Sequence, residues 1–177
     1  MSEDSGVESI RNQINQKFKH LTEITKETKE DGSFRYNYVY FDIRFSNLCN
    51  FKCRTCSHHL SSSFFEEAKK IEEKTGMKGT NELGLIGTLG DDKVIYPTKS
   101  KDELWNQVEE IIPSVEVFYF AGGEPLIQEE HCKIIKLLLE HKKFNATLTY
   151  SSNISRLSYR DMNFLEVWPK FKQVEIY

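Results

Sequence analysis

The fold is decided by residues 41–59, FDIRFSNLCNFKCRTCSHH. Extended back to Tyr38, the left half reads YVYFDIRF. Val39, Phe41, Ile43 and Phe45 alternate there with Tyr40, Asp42 and Arg44. That period of two gives a β-strand one apolar face and one polar face. The right half places Cys49, Cys53 and Cys56 within eight positions, three of the chain's four cysteines. Clustered thiols after a strand read as metal ligands or redox groups wherever thiols are kept reduced.

Composition indicates such a compartment. The chain has 177 residues, enough for one domain with a core. Hydrophobic residues make up 38% and charged residues 29%, the profile of a soluble globular protein. Twenty-four Lys and Arg stand against 27 Asp and Glu, a net charge of −3. That balance argues against nucleic acid or an acidic membrane as partner. No apolar run approaches the roughly 20 residues of a membrane span. The opening MSEDSGVESIRNQ lacks the apolar segment of a signal peptide. The expected location is the cytoplasm.

Away from the cysteines, the pattern alternates helix and strand. Val7, Ile10, Ile14, Phe18 and Leu21 trace one stripe of an amphipathic helix over 7–21. Residues 1–37 are read as a helical extension and 38–177 as the core. Ser63 and Glu66 have capping-box spacing, predicting a helix from Ser63 with Phe64, Ala68 and Ile71 on one face. Residues 74–92 carry five glycines and no period, so they read as loop. Ser100 and Glu103 cap a further helix with Leu104, Trp105, Val108, Ile111 and Ile112 inward, stopped by Pro113. VEVFYF, 115–120, is a second strand, apolar enough for burial on both faces. AGGEPL is its loop. Residues 129–142 form a helix with Ile134, Ile135, Leu138 and Leu139 inward. ATLTYSSN holds a third strand, 160–170 is weakly helical, and QVEIY begins a fourth strand.

Alternating strands and helices predict βαβ units and a parallel sheet. Right-handed crossovers put every post-strand loop at one end, where such sheets carry their chemistry. The cysteine, GGEP and SSN loops are expected to meet there. A chain that stops inside a parallel strand leaves an open edge, so the expectation is part of a longer protein or a domain with a partner.

The cysteine loop has two readings. With His58 or His59 as fourth ligand it is a closed Cys3His zinc site in a non-catalytic binding module. With three thiolates alone it holds three irons of a [4Fe–4S] cluster, and the fourth iron stays open. Both histidines also suit a loop or the start of a helix. Cys132, in the helix after GGEPL, reads as core packing.

CNFKCRTC directly after strand one and FAGGEPL after strand two, in this order, resemble the radical S-adenosylmethionine (SAM) enzymes. FDIRFSNLCN and SSNIS are most similar to the SPASM/twitch branch of that superfamily. The resemblance covers 38–177 and implies a partial (β/α)6 TIM-like barrel with about four parallel strands present. It implies that Cys49, Cys53 and Cys56 hold the cluster. It assigns Thr55, Gly122, Gly123, Glu124, Pro125, Ser152 and Asn153 to SAM. The amino and carboxylate groups of SAM would chelate the open iron. Reductive cleavage would give a 5′-deoxyadenosyl radical that takes hydrogen from a substrate, by analogy a peptide or protein. A flavodoxin- or ferredoxin-like reductant is the implied partner. In this reading Gly122 and Gly123 let backbone approach the ligand, and Glu124 offers its carboxylate to the SAM ammonium. Asp42 and Arg44 would face the barrel interior, as an ion pair or as contacts to cofactor or substrate.

Three positions depart from the family pattern. Thr55 stands where relatives carry a large apolar residue, and Ile154 where many carry glycine. No cysteine follows Cys132, although auxiliary clusters would need them. A degenerate family member that binds a partner without turnover is a further reading.

Overall fold

The structure is a computed structural model that describes residues 8–34, 38–76, 92–96 and 100–177. The chain divides into two compact units, Met1–Asn37 and Tyr38–Tyr177.

In the first unit, helix α1 spans Ile10–Lys17, capped by the Ser9 hydroxyl, which accepts from the Asn12 amide at 3.3 Å. A 3-10 segment, Lys19–Glu27, follows. The α-helix is thus shorter than the expected 7–21, and Val7 lies outside the described residues. α1 buries no residue, with Ile10 and Ile14 exposed. Most helical stability comes from packing an apolar face, and an unburied stripe does not sustain a longer helix.

In chain order the second unit runs β1 (Tyr40–Ile43), α2 (Phe65–Thr75), α3 (Lys101–Ile111), β2 (Val117–Phe120), α4 (Glu129–Glu140) and β3 (Thr147–Tyr150). A hairpin of β4 (Ser158–Tyr159) and β5 (Met162–Asn163) follows, then α5 (Phe164–Val167) and β6 (Gln173–Ile176). The main sheet has the order β1-β2-β3-β6 and is parallel throughout. Asp42, Tyr119, Thr149 and Glu175 lie side by side across it. The main strands sit beside each other in the order the chain makes them, without the reversal that marks doubly wound sheets.

Burial separates the middle strands from the outer ones. Every residue of β3 is buried, whereas the outer strands β1 and β6 are partly exposed. Phe118, Phe120, Leu148 and Tyr150 pack with Ile112, Ile134, Ile135, Leu138 and Phe164, all at most 1% exposed. Each such side chain contributes roughly 1.5–3 kcal/mol by leaving water.

Local signals at the helix ends were uneven. The Ser100 hydroxyl accepts from the Glu103 amide at 3.3 Å, as the capping box predicts. Near Ser63 the cap is displaced. Ser61 accepts from the Ser63 amide and opens a 3-10 turn over Ser62–Phe64 that feeds α2. The Ser63 hydroxyl instead donates to the Cys49 carbonyl at 2.8 Å. The expected buried stripe on α2 is absent, because α2 buries no residue and Ile71 is 60% exposed. The helical reading of 160–170 holds for α5 and the 3-10 turn Trp168–Lys170 that follows it, while residues 160–163 belong to the hairpin, with Arg160 at φ +51° in its turn. The glycine-rich loop lies outside the described residues from 77 to 91. Among the described residues, no helix is long and apolar enough to cross a membrane.

Candidate functional site

The loop after β1 is held by side chains. Asn47, 3% exposed, donates from Nδ2 to the His58 carbonyl at 2.7 Å. Its Oδ1 accepts from the Ile95 amide at 2.8 Å, and its carbonyl accepts from the Ser62 amide at 2.7 Å. Three serines hold the first cysteine. The Ser62 hydroxyl accepts from the Cys49 amide at 3.2 Å. Ser63 donates to the Cys49 carbonyl, and Ser61 donates to the Phe51 carbonyl at 2.6 Å. The Cys56 amide donates to the Cys53 carbonyl at 3.0 Å, a tight turn between the second and third thiols. Side chains thus replace the backbone ladder that an irregular segment cannot form.

The GGEP loop crosses this segment at contact distance. Gly122 and Gly123 have φ of +73° and +52°. A Cβ on Gly123 would stand 2.3 Å from the Leu48 carbonyl oxygen, and one on Gly122 would stand 2.8 Å from the Arg44 Cβ. Positive φ and crowding both demand glycine here. These glycines permit a close approach to the cysteine loop and also line the cavity. The Glu124 amide donates to the Leu48 carbonyl at 2.8 Å, and the Gly123 amide to the Leu60 carbonyl at 3.2 Å. Buried Gln128, which the sequence reading passed over, donates to the Gly122 carbonyl and accepts from the Ser46 hydroxyl.

Glu124 is engaged by the protein itself. It is 1% exposed. Oε1 accepts from the Leu126 amide at 3.0 Å and the Ser152 hydroxyl at 2.7 Å; Oε2 accepts from the Asn153 amide at 2.7 Å. The carboxylate therefore ties the second loop to the third, through bonds stronger than neutral ones. Glu124 itself is extended (φ −118°, ψ 107°), as a residue before proline must be, and Pro125 is buried at the start of a short 3-10 turn.

The third loop completes the contact. Asn153 Nδ2 lies 3.8 Å from the Cys49 sulfur and 3.2 Å from Asn50 Oδ1. Asn50 donates to the Ser155 hydroxyl at 2.8 Å. Ile154, at the position where the family often has glycine, holds φ +50°, a conformation strained for a β-branched residue.

These loops enclose a cavity of about 430 Å³, within the range of small-molecule sites. Cys49, Cys53, Cys56 and Thr55 line it from the first loop, Gly122–Glu124 from the second, Ser152 and Asn153 from the third. Pro125 is not on its wall. Arg44 and Tyr119 line it from the sheet side. The Tyr119 and Ser151 hydroxyls are 2.6 Å apart. Asp42 pairs with Arg44 at 3.2 Å, but both side chains are about half exposed, so the pair is not an interior one.

The donor set constrains what can bind. All four cysteines are free, Cys53 is exposed, and Cys49 and Cys56 are partly so. Among the described residues, no three His, Cys, Asp or Glu side chains form a group that could hold a single metal ion. A zinc ion needs its ligand atoms within about 2.3 Å. A four-iron cluster is wider than one ion and takes one thiolate per iron, which asks less convergence of three thiols around a cavity. His58 is 3% exposed, with its ring against Phe65, and neither ring nitrogen has a hydrogen-bond partner among the described residues. Burial, then nearby His59 and Lys69, hold it below the ordinary histidine range. Cys132 lies in the core, 6% exposed, and burial pushes its thiol up to about 11.

Fold and cavity define an α/β chain with one site built from consecutive post-strand loops of a parallel sheet. No family model, curated protein or solved structure matches the chain.

Proposed function

We propose that this chain carries a radical SAM core. One observation carries the reading: the three thiols of CNFKCRTC open on a single cavity with the GGEP and Ser-Asn loops, each loop following a consecutive parallel strand. The unreversed strand order suits four strands of a (β/α)6 barrel.

In this reading Cys49, Cys53 and Cys56 would hold a [4Fe–4S] cluster, and the glycine loop with Ser152 and Asn153 would hold SAM. When bound, the cluster and SAM supply an electron and a 5′-deoxyadenosyl radical for hydrogen abstraction. The chain's own residues hold and shield. Asn47 and the serines fix the cysteine loop. Gly122 and Gly123 let the second loop close on it. Glu124 and Asn153 lock the third loop against Cys49. Thr55 and the Gly123 backbone border the space for the nucleoside. A flavodoxin- or ferredoxin-like protein would supply the electron.

Anaerobic reconstitution with iron and sulfide tests this. The expected product is brown, with about four irons per chain. Dithionite gives a paramagnetic signal that SAM alters, and 5′-deoxyadenosine forms. One tightly bound zinc and no iron after reconstitution would favour the binding module. A SAM-sensitive cluster that never yields 5′-deoxyadenosine would favour a partner-binding relative.

A further inference from the structure

Among the described residues, two charged side chains line the cavity, Arg44 and Glu124. Glu124 is buried and engaged by three protein donors. Arg44 is half exposed, and it is held at both ends. Its stem lies on Gly122, where a Cβ would stand 2.8 Å from the Arg44 Cβ. Its Nη2 donates to Asp42 Oδ2 at 3.2 Å. A guanidinium has five N–H donors in a planar fork. Only the bond to Asp42 is made to protein among the described residues, so the rest of the fork is open to a ligand.

The surroundings select the kind of ligand. Asp42 shares its row of the sheet with Tyr119, Thr149 and Glu175. The Tyr40 phenol is held above its ordinary range by burial, then by Asp42, Tyr119 and Glu175, so both carboxylates bear on this patch. The Asp42 carboxylate, 3.2 Å from the fork, opposes a dianion such as phosphate more than a monoanion such as carboxylate. In the radical SAM reading, on which this step rests, the SAM carboxylate goes to the open iron. The rest of SAM is a cationic sulfonium and a neutral nucleoside, leaving it no anionic group to offer a guanidinium.

We propose that Arg44 is a carboxylate receptor on the substrate side of the cavity, and that the molecule modified here carries a carboxylate, as an amino acid or a peptide does. Asp42 orients the fork until the carboxylate arrives.

Calorimetric titration of the full chain tests this, before and after cluster reconstitution. The probes are N-acetylglycine, as a single carboxylate on a peptide-like body, and inorganic phosphate. N-acetylglycine is expected to bind the unchanged protein at least tenfold more tightly than phosphate does. Arg44→Gln should weaken it at least tenfold and Arg44→Lys less, since an ammonium keeps the charge and loses the fork. SAM affinity of reconstituted Arg44→Gln should stay within twofold. No N-acetylglycine binding, equal binding by Arg44→Gln, equal binding of phosphate, or a tenfold loss of SAM affinity would each overturn the proposal. Failure of the cluster to form sinks the earlier reading and leaves the N-acetylglycine comparison standing. A cluster that forms without Arg44-dependent binding sinks only this one.

Discussion

Around Cys132 the protein is apolar and closed; around Cys49 it is polar and open. Cys132 sits on α4 among Ile134, Ile135 and Leu138, positioned by packing, and its thiol is held protonated by burial. Cys49 sits on irregular backbone, positioned by the hydroxyls of Ser62 and Ser63 and the amide of Asn153. Packing fixes a side chain by excluding everything else. Hydrogen bonds fix one while leaving its sulfur accessible. A scaffold that presents reactive groups needs the second method on its loops and the first beneath them.

The sharpest way to break this contrast is to remove the thiols singly. Alanine at Cys49, Cys53 or Cys56 should abolish iron loading on reconstitution, with little change in melting temperature. Cys132→Ala should load iron normally and lose roughly 1 kcal/mol of stability. Iron assay and thermal melts on the four variants decide it, and loading that also fails in Cys132→Ala would erase the distinction.

Gly123→Ala attacks the join between the two regions. The added carbon meets the Leu48 carbonyl at a positive φ, so a loss of about 3 kcal/mol in urea titration is expected, with reduced cluster loading. Full loading would mean that the loops need not touch.

Buried His58 gives the cysteine loop some acid sensitivity, and the core carries the larger one. His131 is wholly buried, its Nε2 3.0 Å from the Tyr150 hydroxyl, and burial lowers its pKa to about 3. The unfolded chain binds a proton near pH 6.5 that the folded chain refuses, so its contribution is full above pH 6.5 and falls as the pH drops toward 3. That loss is on the order of 2 kcal/mol between pH 6.5 and 5. His131→Phe should flatten this part of the stability profile. An unchanged slope would place the acid sensitivity elsewhere.

The smallest effect is expected at Ile154. It is 45% exposed and strained at φ +50°, so Ile154→Gly should relieve strain and gain under about 1 kcal/mol. A lower melting temperature would show that the side chain contributes more than its backbone costs.

How much of this could be read beforehand depended on range. The periods of two in β1 and of three and four in α3 and α4 survive because burial reinforces local preference. α1 and α2 expose their stripes, and there the pattern overstated the packing. The hairpin at 158–163 was missed because Tyr-Arg-Asp-Met lacks the Asn-Gly or Asp-Gly turn that announces one. In the site, CxxxCxxC and GGE were visible as spacings. What the glycines approach, and what Glu124 grips, were not, because Leu48, Ser152 and Asn153 are distant in sequence. Ser63 looked like a helix cap, and only long-range bonds show Ser62 and Ser63 cradling Cys49.

The Glu124 carboxylate has a mechanical consequence. Because one side chain pins two loops, neither can swing aside alone without stranding a negative charge in a nearly dry pocket. The enclosure behaves as a fixed vessel with Arg44 and Tyr119 in its wall. A conservative swap to glutamine would set an amide nitrogen against donors and spring the latch.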